Sequence, residues 1–138
     1  MTVSVRRAWL DDVDFLHALT THEDVDPFLA ARRDRSREAL VAEVERSDEE
    51  PEKFGRFVIE VDGAPAGTVT FERVNERSAI AELRNLAVHP TFRGRRVGIE
   101  AARLLQRHLI RDLGFHRLQL EVYGFVAEDL DDESDAIR

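Results

Sequence analysis

The sequence predicts one mixed α/β (α+β) domain on a central sheet, with an antiparallel meander in mid-chain followed by a strand–helix–strand crossover. Three observations carry this. Apolar residues alternate or run together from Phe57 to Val88, broken by turn residues at Asp62-Gly63 and Asn75 to Ser78. Apolar residues then recur at helical spacing up to Leu113, between Gly98 and Gly114. A last alternating segment runs from His116 to Tyr123. With 138 residues the chain is long enough for one core and too short for two.

Taken in order, Val3, Val5 and Ala8 predict a short first strand. Asp11 and Asp12 offer an N-cap to a helix whose inner face is Val13, Phe15, Leu16 and Leu19. His22 to Arg37 is polar and contains Pro27; Asp34 or Ser36 would cap a second helix with Ala39, Leu40 and Val44 inward, and Ser47 to Glu52 reads as an acidic connection. Phe57, Ile59 and Val61 form a strand, and Asp62-Gly63 a tight hairpin turn, because glycine accepts positive φ without a steric penalty. Ala66 to Val74 is the partner strand, with Gly67, Val69 and Phe71 on one face and Thr68 and Thr70 on the other. Ala79 to Val88 completes the meander, ended by His89-Pro90. The helix from Gly98 to Leu113 carries Ala101, Leu104, Leu105, His108 and Leu109 at helical spacing, and Gly114 stops it. A crossover of this length requires the Ala79–Val88 and His116–Tyr123 strands to be parallel.

Composition narrows the function classes. The net charge is −8, which argues against non-specific nucleic-acid binding. The segment from Val126 to Arg138 carries −5 of it and reads as an acidic tail following a domain over residues 1–125. No segment approaches the roughly 20 apolar residues of a membrane span, so no membrane partner is expected. The absence of cysteine excludes disulfides, thiolate metal sites and a thiol nucleophile, and fits a cytoplasmic protein. No histidine pair has metal-ligand spacing with carboxylate support, so no metal is expected.

Arg93-Gly94-Arg95-Arg96-Val97-Gly98 lies between a strand end and a helix start. The first N–H groups of a helix lack intrahelical partners and sit at the positive end of its dipole. Gly94 and Gly98 admit a ligand close to the backbone, and Arg93, Arg95 and Arg96 add charge and forked donors suited to phosphate. Chemistry thus points to a pyrophosphate-bearing ligand; the other reading is a basic turn that merely starts a surface helix. The loop lacks the Gly-Lys-Ser/Thr ending of a nucleoside triphosphate loop and the Gly-x-Gly-x-x-Gly dinucleotide fingerprint.

The run from Leu86-Ala87-Val88-His89-Pro90 through Arg93-Gly94-Arg95-Arg96-Val97-Gly98 to Ala101 resembles the coenzyme A loop of the GNAT superfamily of N-acyltransferases, in particular the branch acting on protein N-termini, polyamines and antibiotics. Phe57 to Gly63, Pro65 to Gly67, and Leu113 to Val122 are similar to the family's central hairpin and to its segment after the helix, so the resemblance spans roughly Val3 to Val122. It implies an N-acetyltransferase in which acetyl passes directly from acetyl-coenzyme A to a primary amine of a small molecule or protein N-terminus within a ternary complex. It also implies that Leu86, Ala87 and Val88 contact the pantetheine arm and thioester between two splayed parallel strands, that an N–H near Leu86 polarises the thioester carbonyl, and that Arg93 to Gly98 hold the pyrophosphate.

The chain departs from the family in two places. In the motif Arg/Gln-x-x-Gly-x-Gly/Ala, Arg93 and Gly98 match and Arg96 stands at the first glycine, where it supplies the same N–H if its φ is negative. Beyond the last strand, Val126 stands where the family has Asn, and the helix with its acid Tyr and the two closing strands are not reached; Tyr123 does not match that Tyr and reads as a strand-end aromatic. The missing strands leave an edge that a second copy or another chain would cover, giving a homodimer or a mixed sheet. They also keep open the alternative of a catalytically degenerate acyl-coenzyme A-binding, regulatory or interaction module.

For the base that deprotonates the amine, Glu82 is the first candidate and Glu121 the second; the other reading pairs Glu82 with Arg84 and Glu121 with a surface cation. His89 reads as a turn residue, His108 as packing, His116 as a strand start and Asn85 as an outward strand position or an acceptor contact. Arg32-Arg33-Asp34-Arg35-Ser36-Arg37 is a solvated turn or an acceptor-side basic cluster.

Overall fold

The computed structural model describes residues 1–25, 35–75, 77 and 79–120. Its strands are β1 (Val3–Arg7), β2 (Phe54–Val61), β3 (Ala64–Arg73), β4 (Ile80–Val88) and β5 (Arg117–Leu120), and its helices α1 (Val13–Thr20), α2 (Arg37–Glu49) and α3 (Val97–Arg107). They form one five-stranded sheet in the order β1-β2-β3-β4-β5. Neighbours are antiparallel up to β4, and β4 and β5 are parallel, as the crossover requires. The boundary near residue 125, Glu121, Tyr123 and the whole acidic tail lie outside the described residues.

The sheet is covered on both faces. Phe57, Ile59, Val69, Phe71, Ala81 and Leu83 pack with Val97, Ala101, Leu105 and Leu109 on the α3 side. Val58 points the other way and meets Ala8, Val13 and Leu16 before α1 and along it, and Leu40 and Val44 of α2. Two covered faces explain why β2 and β3 read as near-continuous buried runs rather than as clean alternation. The hairpin turn is as predicted, with φ +51° at Asp62 and +85° at Gly63.

The structure revises three local expectations. Asp12 occupies the N-cap position of α1 but its side chain does not cap it. Its carboxylate instead accepts both Arg6 terminal nitrogens (2.7 and 2.9 Å) and the Trp9 N–H (2.6 Å). A charged two-point partner on the neighbouring strand outcompetes a neutral helix N–H. Ser36, by contrast, caps α2 through Ala39 N–H as the sequence suggests. The segment from Ser47 is not a connection at its start, since α2 runs to Glu49. Ser47 is fully buried, and its Oγ accepts from Arg7 and from the Arg56 N–H. Finally, α3 ends at Arg107 and continues as a π-helical turn, His108–Asp112, before Gly114 stops it at φ +75°. His108 packs edge-on to Phe57 with ring centroids 6.2 Å apart, and its Nδ1 lies 2.7 Å from an Asp112 oxygen.

The Arg6–Asp12 pair sets an acid limit on stability. The Arg6 hydrogen bonds, and after them the Trp9 N–H, hold the Asp12 carboxyl below the usual carboxylate range against an opposing contribution from burial. A depressed carboxyl contributes stability above its unfolded pKa and loses it as pH falls through its folded value. Asp12→Ala is expected to cost about 2–3 kcal/mol at pH 7. In urea unfolding the difference from wild type narrows below about pH 4; a constant difference down to pH 2 would show that the loss is one of packing.

Candidate coenzyme-binding and catalytic site

The site is built where β4 changes face. Ala81 and Leu83 pack toward α3, and so do Leu86 and Val88, although an unbroken strand would put odd and even residues on opposite faces. The β3–β4 register explains it: Thr70 pairs with Arg84 and Thr68 with Ala87, so one residue of β3 faces two of β4. This is a bulge at Asn85 and Leu86, with Asn85 at φ +55°. A bulge takes backbone groups out of the ladder and re-aims the strand, and Asn is among the few residues that tolerate the left-handed region. Asn85 is therefore buried, not an outward strand residue, and its side chain donates to Thr70 Oγ1 at 3.4 Å. The signal was an Asn inside an otherwise β-forming run.

Gly67 is a second feature that periodicity does not reveal. A Cβ there would lie 2.4 Å from the Ala87 carbonyl oxygen and 3.2 Å from Val88 Cα. Glycine is what lets β3 lie against β4 where the ladder resumes after the bulge.

Past Val88, Pro90–Phe92 forms a 3-10 turn, and His89 caps it by accepting the Thr91 N–H at its Nδ1. His89 thus behaves as the turn residue expected. Arg93 follows in extended backbone, Gly94 is at φ +79°, and Arg96 is the N-cap of α3 at φ +59°. The left-handed Arg96 contradicts the expectation of a negative φ and explains why the family motif carries glycine there. No side chain caps the start of α3, which leaves the N–H groups of its first turn for a ligand. A Cβ on Gly94 would meet nothing within 4 Å, and one on Gly98 would lie 3.6 Å from Leu86 and 3.7 Å from Val88. Gly98 thus opens the space between the helix start and the re-aimed part of β4. Arg95 and Arg96 are exposed, with the Arg95 guanidinium 6.0 Å from the Phe92 ring centroid. Arg93 is used differently: Nε donates to Val88 O at 3.3 Å and Nη2 to Asp24 O at 2.6 Å. An open helix start, small residues beside it and exposed guanidinium groups suit a pyrophosphate with a thin arm running along β4.

Arg96→Gly is expected to stabilise the protein by about 0.5–1 kcal/mol, because a left-handed L-residue costs about 1–2 kcal/mol and glycine returns part of that as chain entropy. The melting temperature should rise by about 2 °C; a fall would mean that the Arg96 side-chain contacts outweigh the backbone strain.

Glu82 precedes the bulge by three residues and pairs in register with Glu72 on β3 and Gln119 on β5. It accepts from Arg84 Nε at 2.7 Å, Arg84 reaches Glu72 at 3.1 Å, and Glu72 reaches Arg46 of α2 at 3.2 Å. These are links of one ion-pair chain on the α2 side of the sheet. Glu121 lies outside the described residues, as do Arg32, Arg33 and Asp34 of the basic cluster. The rest of that cluster is engaged locally: Arg35 O lies 3.1 Å from His17 Nδ1, and Arg37 pairs with Asp14. His116 is exposed beside the start of β5, its N–H bonded to Ala79 O. Among the described residues no group of three or more His, Asp or Glu could hold a metal ion, and no helix is long and apolar enough to cross a membrane.

Residues 14–127 match the family model for the Acetyltransferase (GNAT) family, and the chain belongs to that family. Among solved structures, a spermidine N-acetyltransferase chimera from Vibrio cholerae and hSSAT is 16% identical, with 99% of this chain and 80% of that one covered at a TM-score of 0.77. PaiA N-acetyltransferase from Thermoplasma acidophilum, solved with coenzyme A, is 15% identical over 98% and 88% of the two chains at 0.74. RimJ from Mycobacterium smegmatis, solved with CoA-disulfide, is 17% identical over 94% and 68% at 0.76. These likenesses establish the fold. A search of curated protein sequences finds no match.

Proposed function

We propose that this chain is an N-acetyltransferase that moves acetyl from acetyl-coenzyme A to a primary amine of a small molecule or protein N-terminus in one ternary complex. The observation that carries the reading is the bulge at Asn85 and Leu86, set beside a helix start kept open by Gly98. When bound, acetyl-coenzyme A supplies an activated thioester. The N–H groups of Val97, Gly98 and Ile99 and the charge of Arg95 and Arg96 hold its pyrophosphate. Leu86 and Val88 line its arm with the Ala87 backbone between them, and an N–H near Leu86 donates to the acyl oxygen as negative charge develops there. Glu82 takes the ammonium proton of the acceptor, directly or through water, with Arg84 holding the carboxylate in place. Glu121 is the second candidate for that role.

The test is calorimetric titration with acetyl-coenzyme A, then a screen of primary amines for release of free thiol. Micromolar binding and turnover support the reading, and Glu82→Gln should then lower kcat about 100-fold while leaving acetyl-coenzyme A affinity in place. Binding with no turnover on any amine would favour the degenerate acyl-coenzyme A-binding module. No binding at millimolar ligand by the folded protein would remove both.

A further inference from the structure

The first arginine of the loop reaches across to another part of the chain. Residues 21–25 form a turn after α1, and three contacts tie it to the segment 87–93. Val25 is 1% exposed and packs with Leu19 against Ala87. The His22 ring meets the His89 ring edge-on at a centroid distance of 5.5 Å. Arg93 Nη2 donates to Asp24 O at 2.6 Å while its Nε holds Val88 O at 3.3 Å. Ala87 points opposite to Leu86 and Val88, so this turn lies on the face of β4 away from α3. The first two contacts are apolar or edge-to-face and set a position loosely. The third is a charge-assisted pair of hydrogen bonds from one planar group, which fixes distance and direction together.

The geometry points to Arg93 as a positioning residue that couples occupation of the 93–98 loop to the placement of turn 21–25. An anion seated on the N–H groups at the start of α3 orders the loop backbone, and with it the Cα of Arg93. Because the guanidinium is anchored on Val88 O, ordering that Cα holds Nη2 on Asp24 O. The coenzyme would lie on one side of β4, while this turn borders the other, from which a second substrate would approach the acyl carbon. Occupation of the loop on one side of β4 thereby sets the position of a turn on the other. This inference rests on the acetyl-coenzyme A reading of the loop.

Hydrogen exchange of the full chain, read by mass spectrometry with and without saturating acetyl-coenzyme A, tests both levels separately. Turn 21–25 contains suitable reporters, since the Thr21, His22 and Val25 N–H groups bond to His17, Leu19 and His22 carbonyls. In the wild-type protein, ligand should slow exchange about tenfold both at 94–100 and at 21–25. Arg93→Gln at saturating ligand should keep the slowing at 94–100 and lose it at 21–25, and Arg93→Lys should restore part of it. Slowing at 94–100 without slowing at 21–25 in the wild type overturns the coupling and leaves the coenzyme A reading intact. Equal slowing at both segments in Arg93→Gln overturns Arg93 as the link. No slowing at 94–100 in the wild type removes the coenzyme A reading and the coupling with it.

Discussion

Gly98→Asp should abolish measurable binding of acetyl-coenzyme A and leave the protein at least as stable as the wild type. Gly98 is the second residue of α3, and a Cβ added there meets only ordinary van der Waals contacts with Leu86 and Val88. An acid in the first turn of a helix interacts favourably with the dipole, and replacing glycine removes chain entropy from the unfolded state. The fold therefore has no reason to suffer. A pyrophosphate on the same N–H groups would face a carboxylate at about 4 Å, which costs about 4 kcal/mol per charge pair near a protein surface. That corresponds to a loss of about a thousandfold. Gly98→Ala separates volume from charge, and a loss of no more than about tenfold is expected for it. Calorimetry and a thermal melt on the same samples check both halves. Retained micromolar binding by the folded Gly98→Asp protein would mean that the anion does not sit at this helix start.

Gly67→Ala should be among the most damaging single-methyl additions in the chain, costing about 3 kcal/mol. The new Cβ would sit 2.4 Å from the Ala87 carbonyl oxygen, and that atom belongs to backbone rather than to a side chain that can turn away. Relief requires β3 and β4 to separate at the first ladder pairs after the bulge, Gly67 with Val88 and Thr68 with Ala87. The same separation would move Leu86 to Val88, so coenzyme affinity should fall together with stability. Chemical denaturation and acetyl-coenzyme A titration of one preparation check this. A stable variant with intact affinity would show that the strands have slack there.

Much of this was legible in the residues. The meander, its Asp62-Gly63 turn, the parallel crossover and the α3 face follow from periodicity and turn chemistry, which act over a few neighbouring residues. The loop was legible because its residue types, Gly94 and Gly98 among arginines before a helix, carry their chemistry locally. The roles of Asp12 and Ser47 were not, because their partners, Arg6, Arg7 and Arg56, lie on strands brought to them only by the fold. Glu82 was legible as a carboxylate on β4, and its pairing with Arg84 could be foreseen from their i,i+2 spacing on one strand face. Its link through Glu72 to Arg46 joins three distant segments and could not.

By itself, then, the sequence determined the order of elements, the faces they bury and the place of a glycine- and arginine-containing loop before a helix, since these depend on local backbone preference and on hydrophobic spacing. Only the tertiary structure decided where β4 bulges, why Gly67 must be glycine, that Arg96 is left-handed, and that Arg93 turns back to Asp24. The bulge, the Gly67 approach and the Arg93 link are contacts between segments distant in the chain, whose energy exists only once the strands are packed, and Arg96 is a backbone conformation that its residue type does not announce.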